Sequence, residues 1–311
     1  MDYKVSVFTC VYNRTHTIHR VFDSMRKQTY KNIEHIIVDD GSTDNLDDLV
    51  ADYIASVDYE VKYIKKANGG KHTATNVAWD NSEGDFIIQL DSDDEFMPDT
   101  ITKLVDMYRQ IPDDEKSEFW CVTGRCVDQV EKKLIGEPYP EDINSMEVSR
   151  AKSIADTISG DKVGLMKREM LKNLRYPEPE CVTFVTESRL WSGLTKKFRT
   201  WYSNEIVLIY YINENEGNTL SDPPKTQQTY SNYSYNLKYE LENKELYGVF
   251  GVSLCRKVLL YAVYYELSTE EYKAKYSIYL TDDKQANLLL MILRIPVKLL
   301  KNYIKKRWNV I

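Results

Sequence analysis

From Val5 to Leu90 the chain alternates strand-like and helix-like patterns without interruption, and no other feature restricts its fold as tightly. Val5 to Val11, Ile33 to Asp39, Glu60 to Ile64 and Phe86 to Leu90 read as strands, while Thr17 to Gln28, Leu46 to Ser56 and Thr73 to Asn81 read as helices. That rhythm produces βαβ units and an α/β fold with a mostly parallel central sheet flanked by helices. In such sheets the loops that follow the strands gather at one rim, where ligands bind. Cys10 to Arg14, Asp39 to Asp44, Ala67 to His72 and Asp91 to Glu95 are the loops so placed.

The last of these strands, Phe86-Ile87-Ile88-Gln89-Leu90, runs straight into Asp91, Asp93 and Asp94. A run this apolar belongs to the buried middle of a sheet, so the carboxylates that end it surface together. Carboxylates that close repel, and a hard divalent cation, a shared proton or a helix N-terminus relieves them. The cation would suit an anionic ligand such as a nucleotide diphosphate. The same acids would also suit the helix that follows Pro98, as caps and as charges at its dipole.

Beyond Phe119 the pattern is mixed, with strands at Phe119 to Thr123 and Ile206 to Tyr211 and a helix over Glu187 to Leu194. A polar link from Asn213 to Pro224 leads into a helical, tyrosine-rich region. The expected division is a domain at 1–216 and a C-terminal helical extension at 217–311. A net charge of -7 disfavours nucleic acid as a partner. Five cysteines with no CxxC spacing argue against a disulfide framework or structural zinc and for a reducing, cytoplasmic setting. The N-terminus has no signal-peptide layout, and no uncharged apolar run reaches membrane-spanning length.

Five segments, in order and at matching spacing, resemble the family 2 glycosyltransferases of the GT-A fold. They are Ser6 to Asn13, Ile37 to Asp44, Asn68-Gly69-Gly70 with Asn76, Asp91-Ser92-Asp93 with Pro98-Asp99, and Glu187-Ser188-Arg189-Leu190-Trp191. The resemblance covers roughly the first two thirds of the chain. It implies transfer of a sugar, with inversion, from a nucleotide-diphosphate donor, UDP-linked, to a hydroxyl of a glycan or lipid-linked acceptor in surface polysaccharide synthesis. By the same resemblance Asp93 ligates Mn²⁺ or Mg²⁺, and Asp91 lies by the ribose or reaches the metal through water. Asp40 accepts a hydrogen bond from the uracil ring, and Cys10, Val11, Tyr12 and Asn13 line the same base. Ser92, Gly70, Lys71 and Asn76 complete the donor-binding set, Lys71 with His72 steadying the phosphates.

Oxygen-only ligation with few carboxylates suits a metal shared with substrate phosphates rather than caged by protein. The resemblance makes Glu187 the general base, where the family usually carries Asp. The family also usually has Pro at the place of Cys10 and Arg near Thr75; without that Arg, Lys71 is the available positive charge. His16, His19 and His35 lack metal spacing and read as structural, and large aromatics such as Trp79 and Trp120 as core.

Two rivals stay open: a sugar nucleotidyltransferase, against which stands the lack of any glycine in residues 1–30, and a silent nucleotide-sugar-binding protein of the same fold. At the far end, Arg294, Lys298, Lys301 and Lys305 share a helical face beside an apolar arc of Val297, Leu300, Ile304 and Trp308. That pattern suits either peripheral attachment to an anionic inner membrane face or packing on the body of the protein.

Overall fold

The computed structural model describes residues 2–211, 225–281 and 283–308, apart from the side chains of 148, 299, 300 and 302–308. The Asn213 to Pro224 link therefore lies outside the described residues. The chain divides into two compact units: Met1–Arg175 with Leu194–Glu214, and Tyr176–Gly193 with Asn215–Ile311. Residues 176–193, which the sequence reading placed in the first segment, thus cluster with the C-terminal helices.

The first unit follows the expected alternation closely: β1 (Val5–Val11), α1 (Ile18–Arg26), β2 (Ile33–Asp39), α2 (Leu46–Ala55), β3 (Glu60–Lys65), α3 (Lys71–Asp80) and β4 (Phe86–Gln89). There follow β5 (Glu95–Phe96), α4 (Thr100–Gln110), β6 (Phe119–Asp128), α5 (Val148–Thr157), β7 (Lys162–Lys167), α6 (Arg168–Leu171), α7 (Ser188–Lys197) and β8 (Arg199–Tyr210), the chain passing between the units within α7. One eight-stranded sheet runs β3-β2-β1-β4-β7-β6-β8-β5. Its first four strands are parallel; β4–β7, β7–β6 and β8–β5 are antiparallel.

The parallel half forms because its strands are apolar on both faces. Val5, Val7 and Phe8 of β1 and Ile36, Ile37 and Val38 of β2 are fully buried, as are Ile87 and Ile88 of β4. Helix α1 closes one face with Ile18, Val21, Phe22 and Met25, the i, i+3, i+4, i+7 stripe of an amphipathic helix. Burial of a side chain of that size stabilises by roughly 1.5–3 kcal/mol, so this stripe alone outweighs any single polar contact in the unit. His35 is buried between Thr9 Oγ1 at 3.1 Å and Tyr53 Oη at 2.8 Å, and desolvation pushes its pKa down to about 3, a core role as expected.

The second unit contains α8 (Gln227–Glu242), α9 (Gly251–Leu267), α10 (Glu270–Lys275) and α11 (Lys284–Trp308). Its core includes the buried Tyr261, Tyr265 and Tyr272, and Tyr265 Oη donates to Tyr276 O at 2.9 Å. In α11, Ala286, Leu290 and Val297 are buried. One sequence expectation changes here. Arg294 is not part of an outward basic face; it turns to the buried carboxylate of Glu266, Nε to Oε1 at 3.0 Å, because a buried acid requires a cation. Val297 packs inward, while the side chains of Leu300, Ile304, Lys305 and Trp308 lie outside the described residues. Among the described residues no helix is long and apolar enough to cross a membrane.

Candidate active site

Parallel register brings the ends of β1, β2, β3 and β4 to one rim, with Val11 paired to Asp39 and Asp39 to Lys65. The loops leaving that rim are stapled to one another. Asn13, at φ 53°, accepts the Thr43 amide at 2.8 Å, and its own amide donates to Ser42 Oγ at 3.0 Å. Asp39 accepts the Ser42 amide at 2.7 Å, closing the turn around Gly41. Gly41 sits at φ 83°, where an added Cβ would lie 2.8 Å from the Asn68 amide nitrogen, so only glycine fits. Val11 is buried, Cys10 is partly buried, and Tyr12 stands out from the rim with half its surface exposed.

Asp40 is buried and occupied. Its carboxylate accepts Lys66 Nζ at 2.5 Å, the Gly69 amide at 2.9 Å and the Gly70 amide at 2.7 Å. Three of roughly four acceptor positions on a carboxylate are thereby filled, with room for one more donor. Gly70, at φ 93°, opens α3. Lys66 also donates to Ala67 O at 2.6 Å and Thr73 Oγ1 at 2.8 Å, so it ties Asp40 to the start of the helix. Sequence reasoning missed Lys66. The β2–β3 register places it beside Asp40, because Lys65 pairs with Asp39 and the residues that follow face one another.

Lys71, in the first turn of α3, reaches across to Asp91: Nζ lies 2.9 Å from Oδ1 and 3.2 Å from Oδ2, and Gln89 Nε2 donates to Oδ1 at 2.7 Å. Burial alone would raise the Asp91 pKa, yet the Lys71 ammonium and these hydrogen bonds hold it below the ordinary carboxylate range. Among the described residues its neighbours Asp93 and Asp94 have no lysine partner of this kind. Burial and the charge of Asp91 raise Asp93, against a counter-pull from Arg14. Burial with Asp91 and Asp93 pushes Asp94 up to about 8. Cys10 lies 3.7 Å from Thr75 Oγ1, and burial pushes its thiol up to about 12, which makes it a packing residue rather than a nucleophile.

Ser92 and Asn76 are both buried, and the Ser92 carbonyl accepts Thr17 Oγ1 at 2.9 Å. His72 is buried within α3. The rim therefore gathers Cys10, Val11, Tyr12, Asn13, Asp40, Gly70, Lys71, Asn76, Asp91, Ser92 and Asp93 in a single unit. Glu187 belongs to the other unit, where its carbonyl accepts the Leu190 amide at 3.0 Å and the Trp191 amide at 3.3 Å at the start of α7.

The donor set fits a divalent cation shared with a ligand. Asp91 is already neutralised by Lys71, which leaves Asp93 as the carboxylate in excess, a hard oxygen donor in a desolvated position. Among the described residues these acids do not form a closed three-carboxylate cage. The one such group, Glu34, Glu60 and Glu83, lies at the opposite, amino-terminal rim.

Residues 6–116 match the profile of glycosyl transferase family 2. Over nearly its whole length the chain is similar to the GalNAc(5)-diNAcBac-PP-undecaprenol beta-1,3-glucosyltransferase of Campylobacter jejuni, 25% identical over 98% of this chain and 97% of that one. Among solved structures it resembles S. aureus TarS 1–349 in complex with UDP-GlcNAc, with a TM-score of 0.57 and 16% identity over 97% of this chain and 92% of that one. It also resembles the mannosyltransferase PcManGT of Pyrobaculum calidifontis in complex with GDP-Man and Mn²⁺, with a TM-score of 0.55 and 15% identity over 98% of this chain and 88% of that one. The profile supports sugar transfer over nucleotidyl transfer, and the structural likeness supports the fold. The chain carries a glycosyl transferase family 2 domain at residues 6–116, on the GT-A fold with C-terminal helices.

Proposed function

We propose that this enzyme moves a sugar, with inversion, from a UDP-sugar to a hydroxyl of a lipid-linked glycan during surface polysaccharide synthesis. The observation that carries this reading is the unequal pairing of the acidic doublet. Lys71 pairs with Asp91, so Asp93, which among the described residues has no lysine of its own, is the carboxylate suited to Mn²⁺ or Mg²⁺. When bound, that ion would offset negative charge on the departing diphosphate. The named relative acts on a PP-undecaprenol-linked glycan, and the named structural neighbours hold UDP-GlcNAc, or GDP-Man with Mn²⁺.

In this reading Asp40 uses its remaining acceptor position for the base, with Cys10, Val11, Tyr12 and Asn13 beside it. Gly70, Lys71, Asn76, Asp91 and Ser92 hold the ribose and diphosphate. Glu187 takes the proton of the acceptor hydroxyl as its oxygen forms the new bond to the anomeric carbon, and the anomeric C–O bond breaks with its electron pair leaving on UDP. Residues 1–216 form the transferase domain and 217–311 a helical region that brings the enzyme to the inner membrane face where a lipid-linked acceptor lies.

A thermal-shift panel of UDP-, GDP- and dTDP-sugars with and without Mn²⁺ tests the donor class. A UDP-sugar at a hundredfold its dissociation constant should stabilise the fold by about 2.7 kcal/mol only when the metal is present. A flat response to every nucleotide would overturn the reading, and a selective response to a GDP-sugar would replace the donor. For the base, Glu187→Gln should leave donor binding intact and lower transfer by at least about a hundredfold.

A further inference from the structure

Helix α11 is apolar on the side it shows to solvent. Leu288, Met291, Ile292 and Ile295 are 59%, 57%, 60% and 66% exposed. They fall at i, i+3, i+4 and i+7, one continuous stripe, directly opposite the buried Ala286, Leu290 and Val297. Exposed apolar side chains are ordinary when scattered, but four in register on one helix face form a patch. Lys284 and Lys298, both exposed, stand at its two ends. Arg294, the charge between them, is turned away to Glu266.

We infer that this stripe is a docking surface for an anionic lipid surface. The face differs from the Val297 arc that the sequence pattern offered, since Val297 is spent on the protein's own core. Charge selects the occupant. From Lys284 to the C-terminus there are seven Lys and Arg and no Asp or Glu; with a whole-chain charge of -7, the preceding residues carry -14. A second copy laid on the same stripe would bring two such segments, each without an acid of its own, together. Anionic headgroups meet the lysines while the acyl boundary receives Leu288, Met291, Ile292 and Ile295, the arrangement of an interfacial helix. The inference deepens the membrane contact proposed above and is independent of the donor chemistry.

The test uses the full chain and reads binding rather than turnover. Wild-type protein should co-sediment with vesicles of phosphatidylcholine and phosphatidylglycerol, much less with phosphatidylcholine alone, and high salt should weaken the association. Ile292→Ser with Ile295→Ser should lower partitioning by about tenfold or more without moving the melting temperature, because both side chains are already in water. The same variant should keep its thermal shift with a UDP-sugar and Mn²⁺, which separates a failure here from a failure of the donor reading. Protein that stays in the supernatant with anionic vesicles, or a double variant that binds as wild type does, would overturn the inference. So would a dimer in sedimentation equilibrium that Ile292→Ser dissociates, since that would assign the stripe to a second copy.

Discussion

The two rims of the parallel half-sheet carry the same kinds of charged residue and use them in opposite ways. At the amino-terminal rim, Glu34, Glu60 and Glu83 surround two lysines. Lys4 lies 3.2, 3.4 and 3.2 Å from them, and Lys62 lies 3.0, 3.8 and 2.8 Å away. Ser6 Oγ and the Glu83 amide add hydrogen bonds to Glu34 at 2.5 and 2.7 Å. Burial would raise the Glu34 pKa, yet these partners together bring it down to about 2. At the carboxyl rim Asp91 pairs with Lys71, whereas among the described residues no lysine pairs with Asp93 or Asp94, and both of those are pushed upward. At the first rim each carboxylate has two lysines of the chain beside it, and the cluster contributes stability. The second leaves acid in excess and so depends on what binds there.

Exchanging one carboxylate at each rim should therefore separate activity from stability, and the largest effect belongs to Asp93. Asp93→Ala should lower sugar transfer by about a thousandfold, near 4 kcal/mol of transition-state stabilisation. Its melting temperature should hold or rise, because a charge repelled by Asp91 has been removed. UDP release assays beside a calorimetric melt check both halves; full activity in this variant would erase the difference between the rims. Glu34→Gln should do the reverse. Removing one member of a buried ion cluster strands the lysines, and the expected loss is about 3 kcal/mol in urea denaturation, with activity per folded molecule retained.

Acid titration sharpens the same contrast. The folded Glu34 pKa lies near 2, below its ordinary value of 4.5, so its contribution is fully present above pH 4.5 and is lost as pH falls from 4.5 towards 2. The loss amounts to about 3 kcal/mol across that window. In Glu34→Gln the corresponding part of the acid limb should flatten. A variant as acid-sensitive as wild type would mean that other carboxylates govern unfolding there.

These contrasts were only partly legible in the sequence. β1, β2, β4 and α1 were readable because each declares itself locally, through an apolar run or a 3.6-residue stripe, and the site loops follow from where parallel strands end. β6 and β8 were read in part, at Phe119 to Thr123 and Ile206 to Tyr211; the short β5, the pairing of β6 with β8, and β7 between β4 and β6 were not, since pairing across 80 residues or more, as of Phe86 with Lys167, leaves no local mark. Polar partners were hidden for the same reason. Lys66 reads as a loop lysine until register sets it against Asp40, and Arg294 reads as a surface charge until Glu266, 28 positions earlier, is found buried behind it. Asp91, Asp93 and Lys71 were visible as residues, but the unequal pairing among them depends on where α3 begins relative to β4.

The smaller effects test whether the asymmetry resides in individual pairs. Lys71→Met keeps the length and apolar stem of the side chain but removes its charge, leaving Asp91 with Gln89 as its remaining named partner. Donor affinity, measured by calorimetry with a UDP-sugar and Mn²⁺, should fall by about tenfold, roughly 1.4 kcal/mol, because the rim becomes more acidic just where a diphosphate must approach. At the other rim Glu60→Gln removes a carboxylate that is half exposed, at 51%, and shares its lysines with two other acids. Screening by water and redundancy both reduce its contribution, so stability should change by no more than about 0.5 kcal/mol. A Glu60→Gln loss as large as that of Glu34→Gln would show that the cluster acts as a unit, with burial of Glu34 no longer the deciding difference.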